Sequence, residues 1–284
     1  SPPEITLYEQ SNTATNNVLM AAALTEGTTF AQGVSGDYMV QDLCYFLQGL
    51  GVKIEGIGTP FLRITGVPTI RKNITYGPTE DPIEAMFFIA ATVTTNSKIT
   101  IERVPYRWIA LELLKLKKMG LKITQGETYK AVNGHIDLAD LTIHKHNGKL
   151  VALTDKIHPN LYPGLNPDNL PYFVLVALVA KGRTLIHDWI YENRAIYYTE
   201  LTKIGAQVEI ADPHRVYVHG PTVFTKADVV CPPALRPASL LLVGMLAADG
   251  ISKLRNIYTI ARGYEDLAER LNLLGAHITI FNEI

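Results

Sequence analysis

Cysteine, net charge and long apolar runs are all scarce in this chain of 284 residues. Its two cysteines, Cys44 and Cys231, provide no disulfide framework and fit a reducing compartment, which predicts a cytoplasmic protein. The formal net charge of −1 gives no support for nucleic acid or an anionic membrane surface as a partner. Apolar runs such as residues 240–248 are far too short to span a bilayer, and no signal-peptide pattern opens the chain.

Metal-binding patterns are also missing from the sequence. Neither Cys-x-x-Cys nor His-Glu-x-x-His occurs, so we predict no metal and no cofactor. What remains is a composition of 47% hydrophobic and 19% charged residues, which is typical of a globular protein with a large core. Because the first residue is Ser rather than Met, we expect a start that is processed, tagged or truncated.

One pattern occurs four times along the chain. A helix-like run closes on a glycine and an alternating strand follows, at Gly51, Gly120, Gly205 and Gly275. The glycines are 69, 85 and 70 residues apart (120−51, 205−120 and 275−205). Such a period is the signature of one supersecondary unit used repeatedly.

Each unit combines a helix of small apolar residues, a strand, an amphipathic helix and two alternating strands. The first helices are apolar on nearly every face, so we expect them to be buried all round. The second helices carry a charged face and should lie outside. The predicted fold class is therefore α+β, with repeated βαβαββ units around buried helices at residues 20–24, 87–91, 173–180 and 240–248.

Three arginines and one aspartate stand beside predicted helices. Arg262 comes just before an amphipathic helix, where a guanidinium and the helix N-terminus would act together on an anion. Arg236 precedes a buried helix, whereas Arg194 fits a functional role and an ordinary solvated charge equally well. Asp168 follows a Pro- and Gly-rich stretch, and it fits either a helix N-cap or a functional carboxylate.

Four segments together resemble one known family. They are residues 162–168 (Tyr-Pro-Gly-Leu-Asn-Pro-Asp), 192–196 (Glu-Asn-Arg-Ala-Ile), 235–240 (Leu-Arg-Pro-Ala-Ser-Leu) and 262–265 (Arg-Gly-Tyr-Glu). Their order is similar to that of the UDP-N-acetylglucosamine 1-carboxyvinyltransferases, the UDP-GlcNAc enolpyruvyl transferases. Residues 11–15 (Ser-Asn-Thr-Ala-Thr) resemble the middle region of that family, so the resemblance covers essentially the whole chain.

The resemblance implies an inside-out α/β barrel of two domains, each with three units. Residues 1–78 would be the last unit of an incomplete first domain, and residues 79–284 would be the three-unit second domain. It also implies transfer of the enolpyruvyl group of phosphoenolpyruvate to the 3′-hydroxyl of UDP-GlcNAc, in peptidoglycan precursor synthesis. These two small molecules would be the substrates.

The resemblance further implies roles for individual residues. Arg236 and Arg262 would bind phosphoenolpyruvate, and Asp168 would act as the base on the sugar hydroxyl. The other expected substrate-binding residues are Ser11, Asn12 and Thr13 at the diphosphate (or as simple helix caps), Asp81 and Glu84 at the uridyl or sugar part, and Glu192 with Arg194.

Some features depart from the family pattern. The first two units of the family's first domain normally supply a Lys-Asn pair and a mobile loop with a catalytic Cys or Asp. Neither Cys44 nor Cys231 fits that loop, so we expect both to be structural. Ala234 stands where the family usually has Asp, and residues 169–171 also differ. The chain is therefore expected to be inactive alone, with an N-terminal segment of the same protein as its missing partner.

Two alternatives stay open. The first is the sister enzyme 3-phosphoshikimate 1-carboxyvinyltransferase (EPSP synthase), although the segments at residues 192–194 and 262–265 favour the sugar-nucleotide branch. The second is a non-catalytic relative that binds an anion or a sugar nucleotide.

Overall fold

The structure is a computed structural model that describes residues 4–281. Its first unit follows the order β1 (Glu4–Thr6), α1 (Asn12–Ala23), β2 (Gly27–Gln32), α2 (Tyr38–Gly49), β3 (Lys53–Glu55) and β4 (Phe61–Gly66). β1 runs parallel to β2, and β4 lies between β2 and β3, antiparallel to both. This is the predicted βαβαββ unit.

The next two units repeat the β2-β4-β3 part of that sheet. In the third unit the strand that would match β1 is reduced to the parallel bridges Val151–Lys181 and Ile157–Ile186. The second unit contains α3 (Pro82–Thr94), β5 (Ile99–Val104), α4 (Ala110–Lys118), β6 (Ile123–Lys130) and β7 (Asp137–Ile143). The third contains α5 (Leu170–Val179), β8 (Gly182–His187), a 3₁₀ helix (Arg194–Ile204), β9 (Gln207–Asp212) and β10 (Arg215–Gly220). Their sheet orders are β5-β7-β6 and β8-β10-β9, so the last strand of each unit is again central, as in β2-β4-β3.

The fourth unit only begins like the others. It contains β11 (Asp228–Val230), α6 (Leu235–Leu246), β12 (Lys253–Arg255), α7 (Tyr258–Ala261) and α8 (Leu267–Leu273), and β11 runs parallel to β12. The strand predicted after Gly275 is wrong for residues 276–281. There the Asn272 side-chain amide donates a hydrogen bond to the Ile278 carbonyl at 2.8 Å, and its Oδ1 accepts one from the Ile278 amide at 2.7 Å.

Three of the four predicted buried helices form the centre of the larger core. α3, α5 and α6 pack against one another, and all nine residues from Leu170 to Leu178 are buried. α1 differs, because Met20 and Leu24 are 50% and 57% exposed. The expectation that α1 is buried all round is therefore wrong: its packing within the described part of the chain is mainly against α2, β2 and β4.

Two hydrophobic cores divide the chain. One is formed by buried residues between Leu19 and Ile64, and the other by buried residues between Ile83 and Leu271. A small cluster around Trp108 and Leu138 joins them, with Tyr38 of the first unit packed on it. A cleft lined by Tyr45, Tyr76 and Asn133, among others, lies beside this cluster. The domain boundary after residue 78 stays a prediction.

Asp42 links the two sides of the junction between the cores through the connecting segment, residues 67–81 between β4 and α3. Its Oδ1 accepts hydrogen bonds from the Tyr76 hydroxyl at 2.9 Å and from the Thr79 hydroxyl at 2.8 Å. The Asn133 amide, from the second unit, donates to the same oxygen at 3.3 Å. One carboxylate therefore links α2, the connecting segment and the β6–β7 loop.

Both cysteines are buried free thiols. Burial raises the pKa of Cys44 to about 12 and that of Cys231 to about 11, so neither is poised to react. Within residues 4–281, no helix is long and apolar enough to cross a membrane.

Candidate functional site

Asp168 projects its carboxylate away from the helix that follows it. The N-cap of α5 is Asn169, and the Asp168 amide donates to Asn166 Oδ1 at 2.8 Å. The reading of Asp168 as a helix cap is therefore wrong. A short turn stabilised by Asn166 leaves the Asp168 carboxylate available to other partners.

Two arginines flank that carboxylate. Arg194 Nη1 lies 3.6 Å from Asp168 Oδ1, and Arg236 Nη2 lies 3.6 Å from Asp168 Oδ2. Asp168 is thus the shared counter-ion of two guanidiniums from different units. Both distances exceed that of a direct hydrogen bond, so the pairs are held by charge rather than by close contact.

Arg194 is buried, only 8% exposed, and is not the solvated charge that the sequence left open. Fully buried Asp188 binds it in a fork, with Nε–Oδ2 at 2.5 Å and Nη2–Oδ1 at 3.0 Å. Arg194 also donates to the Pro167 carbonyl at 2.7 Å, and the Tyr198 hydroxyl donates to Asp188 at 2.7 Å. Sequence reasoning missed Asp188, whose one signal was an acid at the end of a strand six residues before an arginine.

Arg236 lies in the first turn of α6 and is held by two tyrosines. Its Nη1 donates to the Tyr264 hydroxyl at 3.0 Å and to the Tyr172 hydroxyl at 3.3 Å. Ala234, at the N-cap of α6, offers no side-chain acceptor. A guanidinium and the N–H groups of a helix start therefore face the same space, which suits an anion.

Residues of the first unit also lie near this cluster, close enough for the charge of Asp168 to act on Asp37. Asp37 caps α2 by accepting from the Met39 amide at 3.1 Å, and the Ser35 hydroxyl donates to Asn12 at 2.6 Å. The Tyr38 ring lies 5.0 Å from that of Trp108. Burial, together with the charges of Asp81, Asp37 and Asp168, raises the pKa of Tyr38, so its hydroxyl is a neutral donor beside those acids.

The predicted residues at the start of α3 are anchored locally. Asp81 caps the helix by accepting from the Ile83 amide at 2.8 Å, and burial raises the pKa of its carboxyl. Arg236 is close enough for its charge to oppose that shift, which places Asp81 beside the arginine. Glu84 is instead paired with Arg270 of α8.

Four predicted site residues stand apart from this cluster. Ser11 caps α1 by accepting from the Ala14 amide at 3.3 Å, and the side chains of Thr13 and Glu192 are exposed. Arg262 is exposed too, and its guanidinium makes no hydrogen bond or ion pair with any residue in the range 4–281.

The expected position of Arg262 just before a helix is wrong. Arg262 is the C-cap of the short helix α7, a position that suits a cation, and α8 begins only at Leu267. At Gly263 the chain presses against Leu235, whose Cδ2 would lie 2.3 Å from an added Cβ. Because Arg262 closes α7 and does not stand at the start of α8, the expectation that its guanidinium and a helix N-terminus act together on an anion does not hold.

Acidic groups outnumber the arginines in this cluster. Asp188 neutralises Arg194, which leaves Arg236 as the cation beside Asp168, with the carboxyl groups of Asp81 and Asp37 close by. A guanidinium can hold a phosphate or a carboxylate, and a neighbouring carboxylate can accept a proton from a hydroxyl group. Such a pair suits group transfer between an anionic molecule and an alcohol.

Comparison with known proteins finds similarity along nearly the whole chain. Residues 4–271 match the family model described as EPSP synthase (3-phosphoshikimate 1-carboxyvinyltransferase). A UDP-N-acetylglucosamine 1-carboxyvinyltransferase of Treponema pallidum is 34% identical over 275 residues, which are 97% of this chain and 63% of that protein.

Solved structures show the same fold. The enolpyruvyl transferase NikO of Streptomyces tendae superposes with a TM-score of 0.79 at 27% identity, over 98% of this chain and 65% of that one. An EPSP synthase of Acinetobacter baumannii gives a TM-score of 0.74 at 20% identity, over 99% of this chain and 64% of that one. The chain thus spans a little under two thirds of the length of each of these relatives.

Proposed function

We propose a function from one premise, which is that this chain belongs to the EPSP synthase family. We propose that the protein to which these 284 residues belong transfers the enolpyruvyl group of phosphoenolpyruvate to the 3′-hydroxyl of UDP-GlcNAc. The observation that best supports this function is the placement of the Asp168 carboxylate between the guanidinium groups of Arg194 and Arg236, with an N–O distance of 3.6 Å to each. The reaction belongs to peptidoglycan precursor synthesis, and the two buried free thiols favour the cytoplasm.

The cluster divides the work between two groups. Arg236, with the start of α6, binds the phosphate or carboxylate of phosphoenolpyruvate. Asp168 accepts the proton of the sugar hydroxyl as that oxygen bonds to C2 of phosphoenolpyruvate, while an acid supplied by the N-terminal segment proposed below protonates the methylene carbon C3. Loss of a C3 proton and of inorganic phosphate then leaves the enolpyruvyl ether. Arg194 cannot serve as a second anion site at full strength, because buried Asp188 already takes two of its N–H groups. Its task is to hold the Asp168 loop through the Pro167 carbonyl.

The acceptor alcohol separates the two enzyme candidates. Identity of 34% to the T. pallidum enzyme favours UDP-GlcNAc, whereas the family model is named for the shikimate enzyme. Serine, asparagine and threonine at residues 11–13 remain proposed contacts for the nucleotide diphosphate, and Asp81, Glu84 and Glu192 remain proposed contacts for the rest of the nucleotide sugar. Arg262 remains a proposed second ligand of phosphoenolpyruvate, from an exposed position.

Activity of residues 1–284 alone is a separate question. We propose that this stretch, with residues 1–78 and 79–284 as its two domains, binds phosphoenolpyruvate but does not complete the transfer. The support is that the T. pallidum relative is longer, since this chain covers 63% of it. An N-terminal segment would then be the partner that completes the reaction.

Binding and turnover are tested together. Phosphoenolpyruvate is titrated by calorimetry into the wild-type chain, Arg236→Ala and Arg262→Ala. Arg63→Ala, on strand β4 of the first unit, is the control. Arg236→Ala should weaken binding by at least about tenfold, because a charge-assisted contact is lost. Unchanged binding by Arg236→Ala would refute the assignment.

Phosphate release with phosphoenolpyruvate plus UDP-GlcNAc, or plus shikimate 3-phosphate, then tests turnover. Release above background by the 284-residue chain with UDP-GlcNAc would support the reaction and contradict the proposed inactivity. Release with shikimate 3-phosphate only would favour the second candidate.

A further inference from the structure

A buried carboxyl lies beneath the Asp168 loop. Glu112, on α4, is 1% exposed, and its Oε1 accepts from the Asn166 amide at 3.1 Å and from the Asn169 side-chain amide at 2.9 Å. Glu112 is the one acidic residue of α4, and the sequence pattern of an outer, Lys-rich helix gives no reason for a buried acid. Burial raises the pKa of the Glu112 carboxyl, so the residue costs stability whenever it ionises.

The two bonds enclose Asp168 on both sides. Asn166 and Asn169 are the neighbours of the Pro167–Asp168 pair, and Asn166 Oδ1 also accepts from the Asp168 amide at 2.8 Å. From the opposite side, Arg194 binds the Pro167 carbonyl at 2.7 Å. Four residues of loop are therefore held by one acid below and one arginine above.

The remaining polar atoms show that the arrangement has a cost. Glu112 Oε2 and Asn169 Oδ1 are both buried and have no hydrogen-bond partner among residues 4–281. A leucine pair of similar volume would fill this position without those penalties. Stability alone therefore does not explain an acid at position 112.

We infer that Glu112 is a positioning residue for Asp168, and that its Oε1 fixes the loop so that the Asp168 carboxylate lies between Arg194 and Arg236. Its use in a reaction rests on the proposed enolpyruvyl transfer, but its effect on the two arginines does not. The acceptor oxygen is the required feature, so a glutamine should replace the glutamate at this position.

The test reads the arginines directly. The Nε–Hε NMR signals of Arg194 and Arg236 are recorded in the ¹⁵N-labelled chain and in Glu112→Leu, Glu112→Gln and Leu116→Ala. Leu116→Ala is the control, because it removes buried volume from the same helix without removing a bond to the loop. Glu112→Leu should shift or broaden both signals, whereas Glu112→Gln and Leu116→Ala should leave them at their wild-type positions.

A double variant separates positioning from stability. Glu112→Leu combined with Asn169→Leu removes both buried polar partners, so the unfolding midpoint should recover relative to the single variants. The arginine signals should remain shifted, because the loop is still unanchored. If Glu112→Leu does not fold, Asn169→Ala replaces it, because it deletes one of the two bonds to Glu112. It should then shift or broaden the same two arginine signals.

Phosphoenolpyruvate titration adds the functional arm. Binding should weaken about tenfold or more in Glu112→Leu and stay unchanged in Glu112→Gln. Arginine signals unaltered in Glu112→Leu, equally altered in Leu116→Ala, or altered in Glu112→Gln would each overturn the inference. If no variant and no wild-type chain binds phosphoenolpyruvate, the proposed function fails, while the arginine signals still decide the role of Glu112.

Discussion

Tyr172 and Tyr264 join their hydroxyl groups at 2.6 Å, although 92 residues separate them along the chain. Tyr172 comes from α5 of the third unit, and Tyr264 lies between α7 and α8 of the fourth. Because Arg236 donates to both hydroxyls, this contact orients the cation of the candidate site and fastens two units together.

Removing the Tyr264 hydroxyl should loosen Arg236. Tyr264→Phe keeps the buried ring but deletes two hydrogen bonds, so we expect a loss of about 1 kcal/mol in the free energy of unfolding. Phosphoenolpyruvate binding should weaken by a few-fold, because Tyr172 still holds the guanidinium. Urea unfolding and calorimetry measure these effects, with Tyr258→Phe, which is exposed, as the control. Equal effects in the two variants would contradict the assigned contact.

Asp188 should matter more for stability than any surface acid. Asp188→Ala leaves the Arg194 guanidinium buried without its bidentate partner, and we expect destabilisation of about 3–5 kcal/mol. The fluorescence of neighbouring Trp189 can follow urea unfolding. Lys203→Ala, which breaks the exposed ion pair with Glu200, should cost less than about 1 kcal/mol. A small effect of Asp188→Ala would show that Arg194 has another buried partner.

Stability should depend on pH through Glu112. Its folded-state pKa is raised by burial, so over the range above the ordinary value of about 4.3 the folded state binds the proton that the unfolded state has released. The Glu112 contribution is therefore largest at low pH and is lost as pH rises to the folded-state pKa. Burial also raises the pKa values of Asp37 and Asp81. Both residues are present in the wild-type chain and in a Glu112→Gln variant, so they do not contribute to the difference between the two.

Glu112→Gln removes that titration, so its stability relative to wild type should improve as the pH rises above the ordinary glutamate pKa of about 4.3. Urea unfolding of both proteins at several pH values measures the difference. Parallel curves would mean that the Glu112 carboxyl has the same pKa in the folded and unfolded chains.

The two thiols should be unreactive in the native chain. Cys44 and Cys231 are buried with raised pKa values, so a thiol reagent at pH 7.5 should label neither until denaturant is added. Mass spectrometry counts the labels, and the denatured chain is the positive control. Rapid labelling of one native cysteine would contradict its assignment as structural.

Local pattern was enough to predict most of the fold. The helix–Gly–strand repeat and the all-apolar helices depend on neighbours in sequence, and they predicted the recurring sheets and the central trio of α3, α5 and α6. The exposed face of α1 and the missing strand after Gly275 escaped because they depend on which elements are available to pack or pair. Sequence pattern does not contain that information.

The site was less predictable for the same reason. Asp168, Arg194 and Arg236 were chosen from motifs, and the structure brings these three together. Asp188, Tyr172 and Glu112 were missed, because a buried polar residue is recognisable only by what reaches it from elsewhere in the chain. Arg262 was expected just before a helix, but it ends the short helix α7, which the sequence did not predict, and α8 begins only at Leu267.

The bond network at Asp42 affects how the cleft can open. Tyr76, Thr79 and Asn133 all donate to one oxygen, so a rotation that carries Asp42 away from the connecting segment and the second unit breaks these bonds together. Bending of this kind has a threshold rather than a gradual elastic response, because packed and hydrogen-bonded junctions switch between discrete arrangements. The junction would therefore behave as a latch, holding the cleft in one geometry until the bonds to Asp42 are released together.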